Sequence, residues 1–313
     1  MLEPLGVEKE YVEKFAKKLE DNGHEFVYYD NRVEEPEALI ERSKEADVLI
    51  LSNIPLPAEV INSCPDLKMV SVGFTGVDHI DLEACEENDI TVSNAPGYST
   101  DSVAELAFGF MISLLRNINT CDSVTREGKT REGLIGNELK GKTLGIVGTG
   151  AIGLRVAEIA NAFGCNLIGY NRSEKEKAKE LGMEYVDLNT LMKESDIVSL
   201  HIPFTEETRS LIDKEKIQLM KDSALFVNTA RGPIVDSEAL ADALNNGDIA
   251  GAGIDVFEME PPIPEDHPLM NTPNTTLAPH VAFATHEAFE NRIQIIFNNI
   301  FTWLDGEAQN KIV

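Results

Sequence analysis

The stretch Lys142-Thr-Leu-Gly-Ile-Val-Gly148-Thr-Gly150-Ala-Ile-Gly153 constrains this chain more than any other. An apolar, β-prone run enters a tight glycine turn, and a helix-like segment over 154–163 leaves it. The pattern G-x-G-x-x-G is short and says little by itself; between a strand and a helix it gains a physical meaning. Gly148 allows the sharp turn, Gly150 lets a pyrophosphate approach the main chain, and Gly153 lets the helix pack closely on the strand. Unpaired N–H groups at the helix start, with the positive end of the helix dipole, are then suited to hold phosphates. The turn predicts a dinucleotide-binding domain.

Around the turn the chain alternates between two periodicities. Segment 10–22 has an amphipathic pattern, 35–46 reads as a helix, and 25–29, 47–51, 68–72 and 90–93 as strands. Strands alternating with helices imply a parallel sheet covered on both faces. Asn94-Ala-Pro-Gly97 is a turn cluster, and Ser102-Val-Ala-Glu105 reads as a capping box opening a helix that runs to Arg116. That helix is apolar nearly all round, so it is expected in the core or at a subunit interface, with a charge at Phe108 as the test of the second. A second series follows, with strands over 144–147, 166–170, 197–201, 224–228, 250–256 and 275–277, an order that matches a dinucleotide-binding domain. A final helix over 287–304 is expected to return to the first domain. The predicted fold is α/β, with 98–284 as the cofactor domain and 1–97 plus 285–313 as a discontinuous substrate domain.

The 313 residues suit about two domains, and their charge is lopsided: 54 acidic against 27 basic, a net charge of −27. Nucleic acid and anionic membrane are poor partners for such a chain, since both need clustered Lys and Arg. An anionic substrate therefore has to be met by a local cationic site. No apolar run has membrane-spanning length and no basic-then-apolar leader is seen, so a cytoplasmic protein is expected. Cys64, Cys85, Cys121 and Cys165 are widely spaced, which predicts neither a metal site nor a disulfide framework.

Three downstream motifs follow predicted strands. Arg231 lies in Asn228-Thr-Ala-Arg-Gly232, Glu260 in Asp255-Val-Phe-Glu-Met-Glu-Pro-Pro, and His280 in Ala278-Pro-His. Ligands of open parallel sheets bind beyond the carboxyl ends of the strands, so the three groups are expected to converge. Imidazole can give or take a proton near neutral pH. A carboxylate on its other nitrogen fixes the tautomer, and a guanidinium can hold a carboxylate through paired hydrogen bonds.

With these motifs in place, the chain resembles the D-isomer-specific 2-hydroxyacid dehydrogenases over essentially its whole length. The likeness rests on Val72-Gly-Phe-Thr-Gly-Val-Asp78, Ser102–Glu105, the glycine turn, His201-Ile-Pro203, Asn228–Gly232, Asp255–Pro261 and Pro279-His280. It implies a Rossmann-type cofactor domain and a flavodoxin-like substrate domain, both doubly wound. It further implies Arg231, Glu260 and His280 as the catalytic set. Ala151 and Ile152 would lie on the pyrophosphate, His201 and Pro203 near the adenosine, and Ala230 and Asp255 at the nicotinamide, with Thr208 and Thr229 also contacting the cofactor. Substrate would be met by Asn53, by the main chain of Phe74, Thr75 and Gly76, and by Arg231 and His280; Ile54 and Phe283 are expected to line the same pocket. A homodimer is also implied.

Two departures stand out. The family's first strand begins a few residues earlier, which makes Met1–Leu5 a shortened version of it. Where an NAD enzyme places an acid on the ribose hydroxyls, this chain has Tyr170-Asn171-Arg172-Ser173, which suits a 2′-phosphate and favours NADP over NAD. The expected reaction is reduction of a small 2-keto acid, hydroxypyruvate or glyoxylate, to the D-2-hydroxy acid. Lactate, aromatic lactate or phosphoglycerate dehydrogenation are alternatives, and a non-catalytic dinucleotide sensor resembling the family's corepressors is the reading from another class.

Overall fold

The computed structural model describes residues 1–313, which separate into two compact units: Met1–Ser99 with Ala284–Val313, and Thr100–Phe283. The final helix, His286–Leu304, belongs to the first unit, where it packs on its sheet. No helix is long and apolar enough to cross a membrane.

The first unit carries three parallel strands in the order β1 (Val48–Leu51), β2 (Met69–Val72), β3 (Thr91–Ser93). Apart from the first residues of β1 and β3 these strands are buried, as expected for a sheet covered on both faces. The strand expected over 25–29 does not form. Instead Met1 binds it through two hydrogen bonds, from the amino group to the Val27 carbonyl (2.7 Å) and from Tyr29 N–H to the Met1 carbonyl (3.1 Å). Leu2 N–H in turn donates to the Ile50 carbonyl at 2.8 Å. The segments thus lie in the order 25–29, 1–5, β1, β2, β3, but Pro4 removes a donor and the ladder stops. At the opposite edge, Val92 exchanges main-chain hydrogen bonds with Ile312 and Val313.

The second unit holds seven parallel strands: β4 (Thr143–Val147), β5 (Asn166–Tyr170), β6 (Glu184–Tyr185), β7 (Ile197–Leu200), β8 (Leu225–Asn228), β9 (Gly251–Ile254) and β10 (Thr275–Leu277). Their order is β10-β9-β8-β7-β4-β5-β6, so the order in which strands are added reverses between β4 and β7. The short β6 lies outside the six strands predicted. Register aligns the carboxyl ends: Val147 faces Tyr170 and Leu200, Leu200 faces Asn228, Asn228 faces Ile254, and Ile254 faces Leu277. Residues 148, 171, 201, 229, 255 and 278 therefore leave the sheet along one rim.

The helix expected to open at a Ser102 cap runs Thr100–Arg116, which places Ser102 inside its first turn. Its buried residues pack within the unit, against β8, β9 and the helix Ala151–Ala162, while Leu106, Ile112 and Leu114 stay partly exposed. Phe108 is only 5% exposed and stacks on Phe163, so a charge there would damage the core rather than test a subunit interface.

Candidate active site

The glycine turn sits at the reversal point of the seven-stranded sheet. Gly148 has φ +99°, which an L side chain rarely adopts, and a Cβ there would run into the main chain of His201. A Cβ on Gly153 would overlap the Gly148 carbonyl oxygen. Gly150 differs: a Cβ there would meet nothing within 4 Å, so packing does not account for that glycine. The helix begins at Ala151, three residues earlier than its periodicity suggested, and Leu154 N–H is the first to bond back, to the Gly150 carbonyl. Ala151, Ile152 and Gly153 thus supply N–H groups with no partner inside the helix. Empty space beside Gly150 and donors at a helix start fit a pyrophosphate.

Past β5, Asn171 Nδ2 donates to the Ser173 carbonyl at 2.7 Å and closes the turn that carries Arg172. Glu174 is engaged by Lys179 at 2.7 Å, so this acid does not neutralise Arg172. Tyr185 ties the turn to the glycine loop: its hydroxyl accepts from Lys175 N–H (3.0 Å) and bonds Thr149 Oγ1 (2.8 Å). At the end of β7, His201 bonds Ser199 Oγ at 2.9 Å, and burial lowers its pKa to about 3, which keeps the ring neutral. The Thr208 hydroxyl accepts from Thr205 N–H and donates to the Pro203 carbonyl, fastening its own loop. Thr229 Oγ1 is buried with no partner in the protein, which leaves a hydroxyl for a bound molecule.

The three chemical groups stand on the same rim. Asn228, buried at the end of β8, accepts from Ala230 N–H and donates to the Arg231 carbonyl, both at 3.0 Å, so the Thr229–Arg231 turn is clamped. Arg231 Nη1 donates to the Ala230 carbonyl at 2.8 Å. A Cβ at Gly232 would overlap the Phe257 carbonyl group, so this glycine brings the Arg231 turn against the segment leading to Glu260. The same segment is braced by His267, whose Nδ1 accepts from Leu269 N–H (3.3 Å) while Nε2 donates to Glu258 (2.9 Å). Glu260 precedes a cis Pro261–Pro262 bond.

His280 Nδ1 lies 3.0 and 2.8 Å from the two Glu260 oxygens. An ionised carboxylate only accepts, so Nδ1 donates and Nε2 is the nitrogen left for chemistry. His280 adopts φ +57°, and three hydrogen bonds to Asp255 hold it there. Its N–H donates to the Asp255 carbonyl (2.8 Å), and the Asp255 carboxylate accepts from Val281 N–H (2.8 Å) and Ala282 N–H (2.9 Å). Burial raises the Asp255 pKa above its ordinary value, and the two amide donors oppose that rise. Phe283 meets the His280 ring edge-on, with centroids 5.4 Å apart.

In the first unit, Asn53 follows the β1 end and is held by Arg32, which donates to its side-chain oxygen (2.8 Å) and its carbonyl (3.3 Å). Phe74 is nearly buried, and Thr75 Oγ1 bonds the Ala95 carbonyl. Ile54 is fully buried and belongs to the core instead of a pocket wall. Sequence reasoning did not single out Asn228, Tyr185, His267 or Arg32. Asn228 lies inside a motif already noticed; Tyr185 and Arg32 act through partners 36 and 21 positions away, and His267 through local partners that no motif marks.

A glycine turn at the reversal point of a parallel sheet, with donors for phosphate and an acid–base pair on the same rim, defines a dinucleotide-dependent oxidoreductase. Residues 108–282 match the family model described as D-isomer specific 2-hydroxyacid dehydrogenase, NAD binding domain. A glyoxylate reductase of Korarchaeum cryptofilum is 40% identical over 314 aligned positions, covering 98% of this chain and 94% of that protein. The solved structure of an acyclic imino acid reductase in complex with NADPH and D-Arg superposes with a TM-score of 0.89 at 32% identity, over 100% of this chain and 98% of that one. A D-lactate dehydrogenase from Aquifex aeolicus complexed with NAD and lactic acid gives a TM-score of 0.86 at 31% identity, over 96% and 95% of the two chains. The protein belongs to the D-isomer specific 2-hydroxyacid dehydrogenase family, and it is an oxidoreductase that uses a nicotinamide dinucleotide.

Proposed function

We propose that this protein reduces small 2-keto acids, hydroxypyruvate or glyoxylate, to the D-2-hydroxy acid with NADPH as the preferred donor. The observation that carries the chemistry is the Glu260–His280 pair, fixed at 2.8 Å by a loop that Asp255 anchors. Hydride for the carbonyl carbon comes from the nicotinamide when the cofactor is bound. His280 gives the proton on Nε2 to the carbonyl oxygen, so one hydride and one proton convert C=O to CH–OH. Glu260 holds the ring in the tautomer that presents Nε2 and stabilises the imidazolium from which the proton leaves. Arg231 pairs with the substrate carboxylate and polarises the carbonyl. In the first unit, substrate recognition is assigned to Asn53 and to the N–H groups of Phe74, Thr75 and Gly76. The substrate assignment is supported by the glyoxylate reductase relative.

Preference for NADPH is supported by Arg172 and Ser173 in a turn that offers the ribose no carboxylate. The protein is assigned as a homodimer, supported by exposed apolar side chains around the end of the helix Thr100–Arg116: Ile118, Phe163 and Ile135, the last 92% exposed. Initial rates of NADPH and NADH oxidation with hydroxypyruvate, glyoxylate, pyruvate and phenylpyruvate test the proposal. Turnover of the first two with NADPH is expected. Bound cofactor without turnover of any acid would replace the enzyme by a dinucleotide-sensing protein.

A further inference from the structure

Arg292, on the C-terminal helix, is 3% exposed, an unusual place for a guanidinium. It has no carboxylate against it. Nη1 donates to Ser52 Oγ (3.0 Å) and to the Gly73 carbonyl (3.3 Å), Nη2 donates to the Leu5 carbonyl, and Nε–H has no partner. Its guanidinium also lies over the Phe289 ring, 4.6 Å from the centroid. The nearest buried acid, Glu3, is spent elsewhere, accepting from Ser52 N–H at 2.7 Å and from Arg32 at 2.6 Å. Burial accordingly lowers the Arg292 pKa from its ordinary value. The Tyr98 side chain and, at longer range, Glu3 favour the charge without forming an ion pair with it. A buried guanidinium lacking an ion-pair partner is costly, and a hydrophobic side chain of similar volume would avoid that cost.

The cation touches both strand-end turns of this unit. Ser52 ends β1 and precedes Asn53; Gly73 ends β2 and precedes Phe74-Thr75-Gly76. A Cβ on Gly73 would collide with Ile296 and crowd the Arg292 stem, so the helix presses directly beneath that turn. The Gly73–Phe74 peptide is trans, and in a trans peptide the C=O and the following N–H point in opposite directions. By drawing the Gly73 carbonyl toward itself, Arg292 turns the Phe74 N–H away from the helix.

We infer that Arg292 is a positioning residue for the substrate carboxylate: a buried cation that binds the Ser52 and Gly73 turns together and orients the Phe74 N–H toward the anion. The inference rests on the proposed reading of Phe74–Gly76 as a carboxylate site. It adds a second role for the charge, since a fixed cation in a low-dielectric interior favours an anion nearby in a chain whose net charge is −27.

The test is the binding of oxamate, an unreactive 2-keto acid analogue, to the full-length protein saturated with NADPH, read by quenching of nicotinamide fluorescence. Arg292→Met is expected to weaken oxamate at least 10-fold and to raise the KM for hydroxypyruvate similarly. NADPH affinity should be unchanged and kcat should fall less than 3-fold. Arg292→Lys keeps the charge but cannot reach three acceptors, and is expected to lose about 3-fold. Oxamate affinity equal to wild type in both variants would overturn the inference while leaving the reductase reading intact. Failure of the wild-type protein to bind oxamate with either cofactor would overturn both. Should the Met variant not fold, the Lys variant decides by the same criterion, wild-type oxamate affinity counting against the inference.

Discussion

In the Thr100–Phe283 unit, the groups suited to phosphate are main-chain N–H groups, placed by glycines at fixed spacing and by strand ends in register. The Met1–Ser99 and Ala284–Val313 unit works differently: buried side-chain charges, Glu3 and Arg292, grip the turns that leave its strands. Main-chain donors are set by local covalent geometry and cost no buried charge. Side-chain charges need partners gathered from distant segments, and each carries a desolvation penalty unless those partners satisfy it.

Several substitutions press on this contrast. Gly153→Ala should be the most damaging, because its Cβ meets the Gly148 carbonyl and forces the helix off the turn. A clear drop in Tm together with loss of NADPH binding is expected. Gly150→Ala should separate those effects: the Cβ meets no protein atom, so Tm should match wild type while NADPH affinity falls at least 10-fold. A Gly150→Ala protein that binds NADPH normally would break the claim that main-chain approach holds the phosphates. Arg172→Ala sharpens the cofactor side of the comparison, with an expected loss of about 10-fold in NADPH affinity and little change for NADH. Equal losses for both would assign Arg172 to the fold of its turn.

His201 gives the smallest effect. Its folded pKa of about 3 lies below the ordinary 6.5, so the native state keeps the ring neutral while the unfolded chain takes up a proton. The stability contributed is present above pH 6.5 and is lost as pH falls, amounting to about 2 kcal/mol by pH 5. His201→Gln should therefore show a smaller fall in Tm between pH 7 and pH 5 than wild type; equal falls would place the acid sensitivity elsewhere.

The same contrast explains what was legible in the sequence. Residues 143–147, the glycine turn and the strand-following motifs were readable because every element involved is contiguous, and register then aligns Arg231, Glu260 and His280 on one rim. The 25–29 segment reads as a strand because of its β-prone residues, yet its main-chain partner, Met1, offers only two hydrogen bonds before Pro4 intervenes. Ser102 resembles a cap in spacing, yet the helix begins two residues earlier. Arg292 was invisible: nothing in a helix of mostly apolar residues announces that one arginine points inward to Ser52 and Gly73, 240 and 219 positions away.

The most direct test of the account concerns His280. With hydroxypyruvate and NADPH, His280→Ala should lower kcat about 10³-fold, within the range removed with a general acid, and leave the Kd for NADPH unchanged. Turnover equal to wild type would remove His280 from the reaction and contradict the assignment of the Glu260–His280 pair as its proton donor.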